Sequence, residues 1–299
     1  GVDTTDADGK YEFTSLPSGI YTIEAVATGN GKRALVTSVM VDTSETHVAA
    51  VSLAQPGRIE VLIPECADES NCYVYIPGTS CFGEISNGIA YLDSVPAGYI
   101  PALYYVNQEN RSNHSVKNGI SLAEGETKVI ADYSAWKYSR KIGLNTTPDG
   151  AGIAGNIYQF PVLIRLANDN FDFERALPDG SDIRFKKADD TPIPFEIERW
   201  DRENKRAEIW VKIDTVYGYN EGQYFLMYWG NPSADAVTSG NPVFDTARGF
   251  QGVWHLAEPG GTTAFDATCN GYNGTPFGMI SLSSVSGIIG KAIDFDGKG

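Results

Sequence analysis

Ala207-Glu208-Ile209-Trp210-Val211-Lys212-Ile213 is the stretch that decides the fold class of this 299-residue chain. Ile209, Val211 and Ile213 recur with a two-residue period, so they share one face of a predicted β-strand. Glu208, Trp210 and Lys212 alternate with them and point to the opposite face, where two of the three side chains are charged. Such alternation predicts a strand with one face against a hydrophobic core.

The same strand signal recurs along the chain, whereas helical periodicity is nearly absent. Residues 58–63 alternate in the same way, and residues 224–229 are apolar on both faces, which predicts a central strand covered on both sides. Residues 172–177 are the one short helical candidate. With 32 glycines and 15 prolines between short apolar runs, we predict an all-β protein built of tandem sandwich modules.

Charge and composition exclude several function classes. The net charge is −15, which argues against nucleic acid and against anionic membranes, because both bind clustered Lys and Arg. No run of 18 apolar residues is present, so we expect no membrane insertion. The chain opens at Gly1 rather than Met, and we expect an internal fragment of a longer protein.

An internal repeat marks the first 134 residues. Residues 16–21 match residues 95–100 at an offset of 79, and residues 45–48 match residues 126–129 at an offset of 81. A period near 80 fits one small sandwich per repeat. In each copy a proline and a glycine form a turn that opens the next strand.

Several ordered motifs between residues 136 and 245 carry a family resemblance. They resemble a bacterial domain family of unknown function that is found in large secreted or surface proteins, just ahead of laminin-G-like domains. This resemblance implies an extracellular, multi-module β protein without naming a reaction. The motifs are Trp136-Lys137-Tyr138-Ser139-Arg140-Lys141-Ile142, Phe160-Pro161-Val162-Leu163-Ile164-Arg165-Leu166, Phe171-Asp172-Phe173, Asp179-Gly180-Ser181-Asp182-Ile183-Arg184-Phe185, Glu196-Ile197-Glu198-Arg199-Trp200-Asp201, Ile209-Trp210-Val211-Lys212 and Tyr228-Trp229-Gly230-Asn231-Pro232.

Two further resemblances flank this region. Asp6-Ala7-Asp8-Gly9-Lys10-Tyr11-Glu12-Phe13 resembles carboxypeptidase-regulatory-like and prealbumin-like sandwiches. Gly252-Val253-Trp254-His255-Leu256-Ala257-Glu258 and the Asp-Ala-Thr motif at residues 266–268 resemble the start of a laminin-G or concanavalin-like jelly roll. The resemblances imply four segments: a truncated spacer sandwich (1–53), a second spacer sandwich (54–134), the unknown-function domain (135–247) and an incomplete jelly roll (248–299).

The jelly-roll resemblance also sets an expectation for the last segment. Its partner strands would follow residue 299, so we expect residues 253–256 to dock beside the unknown-function domain. From about residue 259 onward we expect few long-range contacts.

Four cysteines are present, and three of them crowd into residues 66–81. Their spacing lacks paired Cys-x-x-Cys motifs, which argues against zinc. Three pairings exist within the cluster. A hairpin would bring Cys66 and Cys72 together, which favours that disulfide, while unpaired thiols stay an alternative.

The sequence offers acid pairs but no recognised catalytic frame. Glu196 and Glu198 would share a strand face, and Glu198 with Asp201 is a second pair, as glycoside hydrolysis would require. However, the alternation in residues 195–199 is typical of a solvated strand face, where Arg199 and Arg202 could pair with these acids. We therefore predict no catalytic residue, no metal site and no cofactor; scattered calcium sites on the acidic surface, and calcium in a complete jelly roll, are the alternatives.

The tryptophans are the candidates for ligand contact, because flat aromatic rings stack on sugar rings. Trp229 lies in an apolar run and is assigned to the core, while Trp210 is opposite the core residues and would be exposed or at a second interface. Trp200, beside Asp201 at a strand end, is the predicted surface ring. Trp200 and Asp201 are therefore the predicted ligand-binding residues.

Together these patterns favour a non-catalytic region of a secreted, extracellular bacterial protein that can be attached to the cell surface. It would present a carbohydrate- or protein-binding jelly roll, with a polysaccharide, a surface glycan or another surface protein as partner. The alternative is an accessory region of a polysaccharide-degrading enzyme whose catalytic domain lies elsewhere. A purely structural stalk is a third hypothesis.

Overall fold

The computed structural model describes residues 1–63, 71–109 and 111–295. Among these residues the regular structure is β-strand, apart from short 3-10 helices at Phe173–Arg175, Thr246–Arg248 and Ser281–Ser283. The prediction of an all-β protein is confirmed. The chain divides into two compact units, Gly1–Ile130 and Ala131–Gly299, and the finer division into four segments stays a prediction.

The first unit is dominated by a sandwich. Its strands are β1 (Gly19–Val26), β2 (Arg33–Val41), β3 (Gly57–Leu62), β4 (Cys72–Tyr75), β5 (Phe82–Ser86), β6 (Ile89–Val95), β7 (Gly98–Asn107), β8 (Ser112–Leu122) and β9 (Thr127–Ala131). The pairing order from β3 onward is β8-β7-β4-β5-β6-β3-β9. Strands from both ends of the sheet contribute side chains to one buried core, which includes Ile59, Leu92, Ile100, Leu103 and Ile120.

Strands β1 and β2 form a separate two-stranded hairpin that repeats the β7–β8 hairpin. Gly19 pairs with Val41 at the open end of the first hairpin, and Gly98 pairs with Leu122 at the open end of the second. The repeated Pro-x-Gly motif thus opens equivalent strands. The sequence repeat reflects a repeated hairpin.

A buried carboxylate joins the β1–β2 hairpin to the sandwich. Glu24 accepts hydrogen bonds from the Arg33 guanidinium at 2.5 Å and from the backbone N–H of Ser80 at 2.8 Å. Burial alone would raise the pKa of Glu24, but the bonds from Ser80 and Arg33 lower it overall. The hairpin is therefore held by an ionised side chain.

The second unit contains another sandwich. Its strands are β10 (Tyr138–Leu144), β11 (Ile157–Ala167), β12 (Arg184–Lys186), β13 (Phe195–Asp201), β14 (Arg206–Val216), β15 (Gln223–Trp229), β16 (Ser284–Ser286) and β17 (Lys291–Ile293). The sheets β10-β15-β12 and β11-β14-β13 enclose one core. Ile209, Val211 and Ile213 are buried in it, as the alternation predicted.

Two local predictions for this unit meet different outcomes. β15 is the central strand of its sheet, as predicted, but only alternate residues are fully buried, so its two faces are not equally covered. The helical candidate at residues 172–177 forms only the 3-10 turn Phe173–Arg175, in which the Asp172 side chain caps the backbone N–H of Glu174.

Asp182 holds three parts of the second sandwich together. Its fully buried carboxylate accepts the backbone N–H of Leu177 at 2.9 Å and that of Gly230 at 2.6 Å. Its backbone carbonyl accepts the indole N–H of Trp136 at 2.6 Å. Without this side chain, two partly buried backbone donors would lose their acceptor.

The segment after β15 is organised by turns. Burial would raise the pKa of Asp266, but its carboxylate accepts the backbone N–H groups of Val253, Thr268 and Tyr272, and these bonds lower the pKa to about 2. Beyond residue 259 most large apolar side chains are exposed, including Phe277, Leu282 and Ile288. The strands described there are the short β16–β17 hairpin, and the jelly-roll assignment stays a prediction.

The cysteines leave the disulfide prediction open. Cys66 lies outside the described residues, so the Cys66–Cys72 pairing stays a prediction. Cys72 and Cys81 are buried, Cys269 is exposed, and these three form no disulfide with one another. Burial raises the pKa of the Cys81 thiol, which keeps this group protonated at neutral pH.

Candidate functional site

The charged face of β13 is the candidate functional surface of the second unit. Residues Phe195 and Ile197 of β13 point into the core, and Glu196 and Glu198 point to the opposite face, as the alternation predicted. The pairing with β14 shifts between Ile197 and Arg199. This irregularity lies at Glu198.

His255 lies between the two acids. Its Nε2 is 2.9 Å from Glu196 Oε2, and its Nδ1 is 3.3 Å from Glu198 Oε2. The side chains are 17% exposed for His255, 16% for Glu196 and 6% for Glu198. We call this group the carboxylate clamp: Glu196, Glu198 and His255. The prediction that the acid face is solvated is therefore wrong.

Aromatic residues enclose the carboxylate clamp. The indole N–H of Trp210 donates to Glu198 Oε2 at 2.6 Å. The Phe244 ring lies 5.9 Å from the Trp210 ring and 5.7 Å from the His255 ring. Trp210 is thus at a second interface, which is one of the two positions predicted for it.

The electrostatics of the clamp favour a charged imidazolium. Burial alone would lower the pKa of His255, but hydrogen bonds and charge from Glu196 and Glu198 raise it to about 9. Burial would raise the pKa of Glu198, yet His255 and Trp210 lower it overall. At neutral pH both ring N–H groups of His255 therefore donate hydrogen bonds to carboxylates. Neither nitrogen retains a lone pair for general-base chemistry.

The open edge of β13 is also covered by the chain that follows β15. The backbone N–H of Ile197 donates to Thr238 Oγ1 at 2.7 Å, and the N–H of Ser239 donates to the Phe195 carbonyl at 3.1 Å. On the same face, Lys212 Nζ lies 3.4 Å from Asp245 Oδ2. The chain after β15 therefore packs back on this sheet at several points.

The arginines near the clamp have other partners than those predicted. Arg199 forms a bidentate pair with Glu208, at 2.6 Å for each bond. Arg202 pairs with Glu174 at 2.5 Å. The irregular pairing of β13 brings Arg199 opposite Glu208 on β14, and so directs it away from Glu198.

The structure places the predicted ligand-binding residues, Trp200 and Asp201, at the end of β13. Trp200 is half-buried, with edge contacts to Phe171 and Phe173 at 5.9 and 5.2 Å. Gly180, with φ of +73°, lies so close beneath it that a Cβ would be 2.6 Å from the indole. Asp201 accepts two bonds from Asn204 in the β13–β14 turn. Both side chains serve the fold, and ligand binding by them stays a prediction.

His255 is the site residue that sequence reasoning missed. It was assigned to the start of the jelly roll, and lone histidines are most often structural or solvated. Its partners are 59 and 57 residues earlier in the chain, so no local spacing signals the contact. The expected docking of residues 253–256 on the preceding domain is confirmed at His255.

The complete clamp lies inside one recognised sequence region. Residues 179–257 match the family model described as Domain of unknown function (DUF2341). The match covers about a quarter of the chain. No curated protein and no solved structure matches the chain.

The DUF2341 match bears on the predicted organisation. It agrees with a domain of unknown function in this part of the chain, and it continues past residue 247 to include His255. Among the described residues, no helix is long and apolar enough to cross a membrane. Within the same described set, no group of three or more His, Cys, Asp or Glu side chains is arranged to hold a metal ion.

Proposed function

We propose that this chain is a non-catalytic region of a secreted bacterial surface protein. In this proposal the DUF2341 region acts as a spacer that presents the following module, a jelly roll that binds carbohydrate or protein. The observation that carries the proposal is the carboxylate clamp, because it fastens the chain that leaves the domain to the domain's own sheet.

The position of the clamp supports a presenting role. Glu196 and Glu198 belong to a strand whose other face is in the core, so they are rigidly placed. His255 belongs to the segment that leads away from the domain, where Asp266 organises the next turn. A buried ion group at this point limits the directions in which a following module can lie.

The first unit supports the same role with a similar device. Glu24 of the β1–β2 hairpin bonds Ser80 in the turn between β4 and β5. Its side chain is 11% exposed. In both units an ionised, largely buried carboxylate attaches a neighbouring segment to a sandwich. A series of spacer domains with rigid connections would hold a terminal module at a distance from the site where the protein is attached.

The environment of the acids supports the non-catalytic part of the proposal. Glycosidases need two carboxyl groups that flank an accessible bond. Here the space between Glu196 and Glu198 contains the His255 ring, and Phe244 packs against that ring. A sugar cannot reach both acids while His255 occupies this position.

We expect the chain to release no reducing ends from plant or bacterial polysaccharides. The matched comparison is the double substitution Glu196→Gln and Glu198→Gln, which keeps the side-chain shapes and removes the charges. Both proteins should match a protein-free blank in a reducing-sugar assay. Release by the wild-type chain that disappears in the double variant would refute the non-catalytic role and favour a polysaccharide-degrading enzyme.

We also expect the clamp to order the exit segment. In the double variant, hydrogen exchange of backbone amides in residues 253–257 should accelerate by roughly tenfold or more, because local opening no longer breaks ion pairs. Exchange in β3 of the first unit is the internal control and should not change. Equal exchange of residues 253–257 in the two proteins would contradict the presenting role.

A further inference from the structure

A cleft lies in the second unit, at one end of the sandwich. It is a cleft of about 560 Å³, and all of its lining residues lie between positions 187 and 225. The buried residues Ile193, Ile213 and Phe225 belong to the core and contribute to the lining. This volume is in the range of small-ligand sites.

The walls of the cleft combine flat apolar surface with polar groups. Tyr217 is 49% exposed, and Pro192 and Pro194 add rigid apolar surface. A half-exposed tyrosine ring offers apolar contact and, through its hydroxyl group, a hydrogen bond. Sugars present the same combination, because pyranose rings have C–H faces bordered by hydroxyl groups.

The charges around the cleft are compensated by protein partners. Lys187 Nζ lies 2.7 Å from Asp214 Oδ2, and Lys212 pairs with Asp245. A charged ligand would have to compete with these pairs, whereas an uncharged ligand leaves them intact. The Lys187–Asp214 pair is partly exposed, at 37% and 55%, so its remaining donor and acceptor sites are accessible to hydroxyl groups.

A further polar group is positioned by the backbone around it. Asn220 accepts the N–H groups of Gly222 and Gln223 through its side-chain oxygen, at 2.9 and 2.8 Å. This fixes the orientation of the amide. Its side-chain nitrogen has no partner among the residues that the structure describes, and is a donor for a ligand hydroxyl.

We propose that this cleft binds an uncharged oligosaccharide, with Tyr217 stacking on a sugar ring and Asn220, Lys187 and Asp214 bonding its hydroxyls. This gives the spacer domain a ligand site of its own, which is separate from any site in the following module. It does not depend on the carboxylate clamp. The ligand class follows from the exposed ring, the paired charges and the volume of the cleft.

Native affinity electrophoresis tests the proposal with defined probes. Gels contain galactomannan, mixed-linkage β-glucan or arabinoxylan with only neutral sugars, and a polygalacturonate gel is the charged comparison. We expect retardation of the wild-type chain in at least one neutral gel and none in polygalacturonate. Tyr217→Ala should weaken the interaction by roughly tenfold or more, whereas Tyr217→Phe should retain most of it because the ring is kept.

The control is Tyr99→Ala, which removes a tyrosine of the first unit that is 61% exposed and should leave retardation unchanged. Unfolding monitored by tryptophan fluorescence verifies that Tyr217→Ala is folded. The proposal is overturned by no retardation in any neutral gel, by unchanged retardation of Tyr217→Ala, or by equal retardation in polygalacturonate. The electrophoresis does not measure release of reducing ends. Its outcome is therefore independent of the experiments that test the proposed spacer role.

Discussion

Replacing Asp182 with alanine should lower the free energy of unfolding of the second unit by about 4 kcal/mol. The substitution removes the fully buried carboxylate that accepts the N–H groups of Leu177 and Gly230, and each unsatisfied donor in such a site costs about 1–3 kcal/mol. Denaturant unfolding followed by tryptophan fluorescence is the measurement. All five tryptophans lie after residue 130, so this signal reports on the second unit.

Two variants test whether the lost acceptor, rather than a general disturbance of the turn at Asp182, causes the loss of stability. Asp182→Asn keeps one acceptor oxygen and should lose less stability than Asp182→Ala. Asp179→Ala removes an exposed carboxylate of the same turn that accepts the Ser181 backbone N–H and hydroxyl, and should lower the free energy of unfolding by less than about 1 kcal/mol. Equal losses in the free energy of unfolding for Asp179→Ala and Asp182→Ala would contradict the role of the Asp182 carboxylate as the required acceptor.

Replacing His255 with alanine should destabilise the second unit by about 3 kcal/mol at pH 6. The rise in the pKa of His255 from 6.5 to about 9 corresponds to about 3 kcal/mol of interaction with the charged form. Removal of His255 also leaves two carboxylates close together without a cation. Tryptophan fluorescence during denaturant unfolding again measures the effect. Lys187→Ala breaks a more exposed ion pair of the same unit, and should change stability by less than about 1 kcal/mol.

The effect of His255 should depend on pH in a defined direction. Because the pKa is raised on folding, the stabilisation is fully present below about 6.5 and is lost as the pH rises through about 9. The difference between wild type and His255→Ala should therefore shrink between pH 7 and pH 10. A difference that stays constant over this range would show that His255 stabilises the domain through packing against Phe244 alone.

The sheets could be predicted because their signal is local. The alternation of Ile209, Val211 and Ile213 reflects a single buried face, and the structure buries all three. The Pro-x-Gly repeat likewise marked equivalent strands, since a turn depends on the backbone preferences of adjacent residues. In each case the residues that carry the pattern also form the element.

The carboxylate clamp could not be predicted in the same way. The pattern around Glu196 and Glu198 is identical for an acid face in water and for one covered by a later segment. Only the contact with His255, formed across 57 residues or more, separates the two cases. Trp200 shows the same limit, because its packing against Phe171 and Phe173 depends on tertiary structure rather than on its neighbours in sequence.

The clamp ties a residue outside the core sheets to the structure of those sheets. The last strand of its core sheets finishes at Trp229, and a boundary drawn from strands alone would omit His255. A polypeptide that ends before His255 would keep Glu196 and Glu198 close together without the cation between them. The two carboxylates would then repel each other, which they do not do in the chain that contains His255. The clamp therefore extends the charge-compensated core of this unit to His255, 26 residues beyond the last strand of its two core sheets.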